Sequence, residues 1–514
     1  MEQFLQTETV VIELLLVVSL VAIAVRRLRV PYTVALVLVG LAITFQQPLE
    51  INVTPELILA LLVPPLVFEA AFHINFSELQ RSLPAILLLA VPGVIITTLI
   101  VGGFVAWVTP LSLPVALVFG ALIAATDPVA VVALFRAIGV PRRLALLIES
   151  ESLFNDGTAI VVFNLMLAIA VTGKFDLVIG IADFVRVSAG GTIIGLALGW
   201  LIARIIARVD DYLIETTLTT VLAFGAYLIA ERFHVSGVLA VVAAGLVNGN
   251  IGPRGMSPTT RIVLFNFWEY IAFLANSLVF LLIGLQVNIP SLLSAWQPIL
   301  GAILAVLVAR AVVVYGLGWI TNRFDEPVPL KWQHVLGWSG LRGAISLALV
   351  LTLPATLGTD RELLRLMAFG VVLFTLLVQS TTMGRLVRWL RIVTRSESHT
   401  EYEVRHARLT ALRAAESHLE SMYREGLVST HAWEKLKPDL NERSTTLASA
   451  VREVLRGDPA LEAEEMDTAQ RELLRAQRSA LQGLRRDGVI SEEVFEKLVA
   501  EVDTVLEGNG IIQS

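Results

Sequence analysis

Long apolar segments constrain this chain more than any other feature of its sequence. Thirteen runs long enough to cross a bilayer begin near residues 10, 31, 55, 84, 112, 145, 181, 213, 235, 262, 297, 333 and 366. The chain is 55% hydrophobic and 16% charged, whereas soluble domains have about 45–50% apolar and about 25% charged residues. The sequence therefore predicts an all-α polytopic membrane protein with about 13 transmembrane helices.

The charged residues divide the chain into two parts. Residues 1–395 carry 24 basic and 22 acidic residues, while residues 396–514 carry 15 and 23. We predict a transmembrane domain over 1–395 and a cytoplasmic helical domain over 396–514, which is either regulatory or a solvated appendage. Neither part has the basic pattern typical of nucleic-acid binding. The absence of cysteine excludes disulfides and thiolate metal sites.

Basic residues in the short loops predict the orientation. If all thirteen runs span, seventeen lysines and arginines fall on one side and five on the other: Lys174, Arg186, Arg232, Arg361 and Arg365. The positive-inside rule then places the C-terminus in the cytoplasm and the N-terminus outside. No basic residue precedes the first run, unlike a cleavable signal peptide, so we expect a multi-pass plasma-membrane protein that retains its first span.

The sixth run begins with a cluster of polar residues. Glu151, Ser152, Asn155 and Asp156 fall within about 140° of one another on a helix, which predicts a single oxygen-rich face. Ionisable groups at membrane depth indicate an ion or proton pathway. The alternative is a polar helix start at the membrane interface.

Two runs are interrupted in corresponding ways. The fifth breaks at Ala125-Thr126-Asp127-Pro128, where proline removes a backbone donor. The twelfth contains three glycines and an arginine within residues 337–344. The two runs are seven spans apart and therefore oppositely oriented. Paired broken helices in inverted repeats are typical of a transporter site near the bilayer midplane, whereas the alternative is two ordinary kinked helices.

Two further charges lie within apolar runs. Glu69 belongs to the third run and is either a site residue or an interfacial carboxylate. Arg310 lies well inside the eleventh run and is a candidate core charge. Because an unpaired guanidinium there is very costly, we expect Arg310 to have a partner.

The C-terminal part contains a weak repeat at an offset of 62 residues. The segment Arg424-Glu425-Gly426-Leu427-Val428-Ser429 resembles the segment that begins at Arg486. Each predicts a helix that ends at a glycine, followed by a serine that begins the next helix.

Three motifs resemble the signature elements of the monovalent cation:proton antiporter-1 family, and most closely its bacterial NhaP-type sodium/proton antiporters. They are Ala125-Thr126-Asp127-Pro128-Val129-Ala130-Val131, Glu151-Ser152-Leu153-Phe154-Asn155-Asp156-Gly157 and Gly340-Leu341-Arg342-Gly343-Ala344-Ile345. The resemblance covers roughly residues 10–390. It implies thirteen helices with inverted repeats and two broken crossing helices, a homodimer, and a mobile core domain beside a dimerisation domain.

The resemblance also implies roles for individual residues. Asp156 is expected to bind sodium or a proton, with sodium held also by Ser152, Thr126 and Glu69. Asn155 is then the neutral neighbour of the carboxylate. Asp127 is expected to interact with Asn155 and to compensate half-helix dipoles. Glu151 and Arg342 are expected to form a buried ion pair.

These observations predict a transporter that exchanges sodium or lithium for protons, one for one. The resemblance implies no cofactor and no enzymatic activity; the partners are monovalent cations, protons and lipid. A potassium/proton antiporter of the same family is the alternative. An ion channel would show a selectivity-filter loop or pore-lining rings, neither of which is evident. An intramembrane aspartyl enzyme using Asp127 and Asp156 is a further, remote alternative.

Overall fold

The computed structural model describes residues 2–28, 31–46, 58–174, 176–209, 211–252, 258–285, 289–323, 327–392, 397–486, 488–491, 493–495, 497–499 and 501. Within these ranges the regular structure is helical. The α-helices are α1 Glu2–Leu28, α2 Tyr32–Gln46, α3 Val63–His73, α4 Phe76–Ala90, α5 Pro92–Val108, α6 Leu113–Leu122, α7 Val129–Ile138, α8 Arg142–Thr172, α9 Leu177–Ile206, α10 Tyr212–Arg232, α11 Gly237–Ile251, α12 Pro258–Leu285, α13 Ile289–Ser294, α14 Trp296–Thr321, α15 Leu330–Trp338, α16 Ala344–Leu351, α17 Thr359–Phe374, α18 Thr381–Trp389, α19 Glu397–Arg424, α20 Thr430–Gly457 and α21 Pro459–Arg486. Two π-helical segments, Ile58–Leu62 and Thr375–Ser380, precede α3 and α18, and a 3-10 turn spans Ala355–Leu357.

Among the described residues, seven helices are long and apolar enough to cross a membrane on their own. They are Phe76–Val108, Arg142–Thr172, Val178–Ile206, Tyr212–Arg232, Thr260–Leu285, Trp296–Thr321 and Thr359–Trp389. Five shorter apolar helices accompany them: Ile12–Val25, Tyr32–Thr44, Leu59–His73, Leu113–Leu122 and Gly237–Ile251. Each predicted run falls on one of these helices or on a pair of short ones, while the number of spans stays a prediction.

Local sequence explains where several of these helices begin and end. The Asp176 and Asp211 side chains cap α9 and α10 by accepting hydrogen bonds from the next backbone amides, at 2.8–3.2 Å. Gly139 and Gly173 end α7 and α8 with φ of 79° and 67°, a conformation that glycine adopts without a steric cost. The helix α8 packs against α4 and α6, and also against α11.

The two predicted breaks are confirmed. The first break, residues 123–128, separates α6 from α7, and the second break, residues 339–343, separates α15 from α16. They touch each other, since the Asp127 amide donates to the Leu341 carbonyl at 2.8 Å. The termini of four half-helices therefore meet at one place inside the bundle.

The chain divides into two compact units, Met1–Val393 and Thr394–Ser514. In the second unit, α19 and α20 form a hairpin around a small core that includes Leu409, Val451 and Leu455. The predicted glycine stops are present, since Gly426 and Gly488 have φ of 73° and 69°.

Candidate cation and proton site

One cavity of about 970 Å³ collects most of the predicted site residues. Thr126 and Asp127 line it from the first break, Ser152 and Asp156 line it from α8, and Glu69 lines it from α3. All but one of the predicted binding residues therefore share a single cavity, although they come from three segments that are far apart in sequence.

The polar residues of α8 form two stripes. Glu149, Ser152 and Asp156 line the cavity, whereas Glu151 and Asn155 are buried with 1% and 3% exposure and do not line it. The prediction of one continuous oxygen-rich face is therefore wrong. On a helical projection, the first three residues fall within about 60° and the other two within about 40°, so each stripe can meet a different neighbour.

Oxygen atoms of α8 and the first break converge at the floor of the cavity. The Ser152 hydroxyl donates to the Thr126 carbonyl, and the Asp156 carboxylate interacts with the Thr126 backbone amide. Thr126 Oγ1 and Asp156 Oδ1 are buried without a hydrogen-bond partner among the described residues. Buried oxygens without donors are costly. These oxygen atoms suit a proton or a hard cation, because both supply positive charge.

Asp127 lies at the start of two half-helices. Its Oδ1 accepts a hydrogen bond from the Val129 amide in the first turn of α7 at 3.0 Å. The carboxylate also interacts with the amide of Ala344, the first residue of α16. A negative side chain at these N-termini complements their positive dipole ends, which is the geometry that the expected compensating role requires.

Arg342 lies at the C-terminal end of the half-helix α6. Its buried Nη1 donates to the carbonyl oxygens of Ala124 and Ala125, just beyond α6, at 2.9 and 3.1 Å. The backbone amide of Arg342 donates to Thr375 Oγ1 at 3.1 Å. A cation near the C-terminus of a helix complements its negative dipole end.

The predicted ion pair between Glu151 and Arg342 is wrong, because Glu151 pairs with Arg310. The two Glu151 oxygens accept from Arg310 Nη1 at 2.8 Å and from Nη2 at 3.0 Å. Both side chains are buried, with 2% and 8% exposure. Arg310 Nε and Nη2 also donate to the Leu336 carbonyl at 3.2 and 3.0 Å. The expectation that Arg310 has a partner is confirmed, while Arg342 is occupied by carbonyls of the first break.

Asn155 extends this buried pair toward the site. Its Nδ2 donates to Glu151 Oε1 at 3.3 Å. The resemblance implied an interaction of Asn155 with Asp127, but the hydrogen bond goes to Glu151. A carboxylate only accepts hydrogen bonds, so the nitrogen end of the amide must face Glu151. Asn155 Oδ1 is consequently left buried, without a partner among the described residues.

Glu69 lies on the wall that α3 contributes. Its side chain is 22% exposed, and His73 Nδ1 is 3.3 Å from its Oε1. The same nitrogen is 2.8 Å from the Glu69 carbonyl oxygen. This contact was not predicted from the sequence, although a spacing of one helical turn indicates it.

The cavity is also lined by charged residues that the sequence did not predict as part of the site. They are Arg136, Glu149, Glu269, Arg385 and Arg388. One signal was available, because Glu149 lies seven residues before Asp156, and two helical turns place both residues on the same side of α8.

The fold and the site define a membrane transporter with crossed, broken helices. The chain belongs to the sodium/hydrogen exchanger family, whose transmembrane region matches residues 14–389. Members of this family are transporters and not enzymes, and the chain is a multi-pass membrane protein.

Individual relatives agree with this assignment. The Na(+)/H(+) antiporter ApNhaP of Aphanothece halophytica is 44% identical over 398 residues, covering 77% of this chain and 76% of the relative. The Na(+)/H(+) antiporter NhaG of Bacillus atrophaeus is 36% identical over 486 residues and covers 92% of each chain. The structure of the sodium proton antiporter MjNhaP1 from Methanocaldococcus jannaschii is similar, with a TM-score of 0.64 and 22% identity, over 76% of this chain and 99% of that one. This last similarity confirms the all-α antiporter fold.

Proposed function

We propose that this protein exchanges sodium or lithium for protons across the plasma membrane, and that Asp156 is the carboxylate that carries them alternately. The observation that supports this most directly is a pair of buried oxygens at the floor of the cavity, Asp156 Oδ1 and Thr126 Oγ1, which have no hydrogen-bond partner within the described part of the chain. Ser152 and Glu69 line the same cavity and add oxygen ligands. The relatives named as sodium/proton antiporters support the choice of substrates.

Competition for one carboxylate couples the two flows. A carboxylate can hold a proton or a cation, and each occupant disfavours the other. An ionised and empty Asp156 is the most costly state to expose to a low-dielectric barrier. Alternating access therefore proceeds with a loaded site, which carries a cation in one direction and a proton in the other.

The neighbours of Asp156 set the stoichiometry. Asn155 cannot titrate, and Glu151 is held as an ionised group by the two hydrogen bonds from Arg310. Asp127 also lines the cavity, but its carboxylate is engaged by the backbone amides of Val129 and Ala344 at two helix starts. Asp156 is then the one carboxylate that we expect to exchange. One cation should move against one proton, so the membrane potential should do no net work on the cycle.

Assembly and orientation belong to the same proposal. We infer a homodimer with an outside N-terminus and a cytoplasmic C-terminal domain. The bias of basic residues supports the orientation. The separate compact unit that begins at Thr394 supports a distinct C-terminal domain. Its regulatory role stays a prediction.

The test is proton flux in proteoliposomes, followed with a pH-sensitive dye and driven separately by lithium, sodium, potassium or calcium. We expect responses to sodium and lithium. A response to potassium alone would replace sodium with potassium as the substrate, and no response to any of the four cations would reject the proposal.

A potassium/valinomycin clamp tests the stoichiometry. The equilibrium point of one-for-one exchange should not shift when the potential is changed. A shift would show that net charge moves in each cycle.

A further inference from the structure

The cavity that leads to Asp156 has an arginine near its mouth, which is unexpected for a pathway that a cation must follow. Arg136 is on α7 and lines this cavity. Its Nη2 is 3.6 Å from Glu149 Oε1. A fixed positive charge on a cation pathway should repel the substrate or compete with it for the acidic groups.

Exposure shows where this pair lies along the cavity. The Arg136 side chain is 63% exposed and that of Glu149 is 20% exposed, whereas Asp156 Oδ1 is buried. Glu149 precedes Asp156 by seven residues on the same helix, or about 10 Å along its axis. The ion pair therefore lies between the mouth and the floor.

Arg136 interacts with acidic residues on two walls of the cavity, α8 and α3. Besides its ion pair with Glu149 on α8, it interacts electrostatically with Glu69 on α3. Glu69 in turn interacts with Glu149 and with Glu269 of α12. Arg385 and Arg388 also line the cavity, but it is Arg136 that pairs with Glu149. The Arg136 guanidinium thus offsets acidic groups that a sodium ion would otherwise meet on its way inward.

A simpler role for Arg136 would be structural. It lies in the last turn of α7, where a cation complements the helix dipole. That role explains an arginine at this position, but it does not require the side chain to line the cavity between carboxylates from two different walls.

We propose that Arg136 is an internal competitor of the transported cation, and that its pairing with Glu149 sets the apparent affinity of the transporter for sodium. A sodium ion must weaken this pair to reach Asp156. The inference rests on the proposed function, because it presupposes that sodium uses this cavity.

The experiment measures sodium-driven proton flux in proteoliposomes at fixed pH over a series of sodium concentrations. For Arg136→Gln we expect the KM for sodium to fall by about threefold to tenfold, because one charge should change the local ion concentration by no more than the smallest effect of a whole charged cleft, about tenfold. The maximal rate should stay close to that of the wild type. Arg136→Lys keeps the charge and should keep the KM within about twofold.

Arg142→Gln is the matched control. Arg142 forms an ion pair with Glu78 at 2.9 Å and is 76% exposed, but it does not line the cavity. Its loss should leave the KM unchanged. An unchanged KM in Arg136→Gln, or an equal fall in both variants, would overturn the proposal.

Glu149→Gln provides a second, opposite test. It frees Arg136 from its ion pair and removes one attractive group, so the KM for sodium should rise while the maximal rate is retained. In this background, the additional change Arg136→Gln should restore the KM toward the wild-type value. A fall of the KM in Glu149→Gln would contradict the inference. If the wild type exchanges no cation at all, the proposed function fails; if it exchanges sodium but these shifts are missing, only the role of Arg136 fails.

Discussion

The two broken spans differ in what each contributes to the centre of the protein. The first break supplies acidic and hydroxyl side chains, Asp127 and Thr126, and Thr126 contacts the predicted cation site directly. The second break supplies a buried cation, Arg342, and glycines that allow close approach. Each break provides the charge that helix ends at the other break require, since Arg342 bonds carbonyls beyond α6 while Asp127 interacts with the start of α16.

The predicted site and the charges that support it are therefore separate. Asp156 and the first break offer the oxygens that a proton or cation could occupy. The second break and Arg310 neutralise dipoles and charges that would otherwise destabilise a buried acidic site.

Asp156→Asn should abolish exchange and leave a folded protein, because the amide keeps the shape of the side chain but cannot trade a cation for a proton. The measurement is sodium-driven proton flux in proteoliposomes, with size-exclusion chromatography as the check on folding. Ser346→Ala is the control, since Ser346 lies on α16, the half-helix that follows the second break. Ser346 also lines the cavity, but its hydroxyl donates to the Ala125 carbonyl at 3.4 Å, so this variant should retain flux. Flux in Asp156→Asn would refute the site.

Arg310→Ala should destabilise the protein more than Arg342→Ala. Removing Arg310 leaves the Glu151 carboxylate buried without its ion-pair partner, at a cost of about 3–5 kcal/mol. Removing Arg342 leaves the Ala124 carbonyl without this donor, at a cost of about 1–3 kcal/mol, while the Ala125 carbonyl still accepts from the Ser346 hydroxyl. Thermal unfolding of the purified variants measures the order. Equal losses, or a larger loss for Arg342→Ala, would show that Arg342 carries the main ion pair after all.

Gly343→Ala should disturb the contact between the breaks. An added Cβ would overlap the Asp127 side chain and come within 2.6 Å of its Cγ. Since overpacking of a buried contact costs about 1–3 kcal/mol, we expect a lower unfolding temperature and slower exchange. Gly103→Ala is a suitable control, because its Cβ would meet no atom of the described residues within 4 Å. The same stability in both variants would mean that the breaks can separate without cost.

Asp127→Asn should have the smallest effect on stability. The amide oxygen can still accept from Val129, but the negative charge at two helix N-termini is lost, at a cost of about 0.3–1 kcal/mol for each helix. A small fall in unfolding temperature is the expected result. A loss as large as that of Arg310→Ala would show that Asp127 supports more of the fold than these two helix starts.

The sequence determined the positions of the apolar helices, the two breaks and the residue types of the site. These follow from local rules, because apolar length, proline, glycine and buried charge act within a few residues of where they occur. The family motifs predicted roles for Asp156, Thr126 and Ser152, and these residues share one cavity with Glu69.

Tertiary structure alone decided which partners the buried charges have. Glu151 had two arginines to choose from, 159 and 191 positions away, and helical periodicity carries no information about that choice. In the folded protein, Arg342 donates to carbonyl groups at the end of a broken helix, and Arg310 forms the ion pair with Glu151. For the same reason, only packing could decide which α8 residues line the cavity and which are buried beside Arg310.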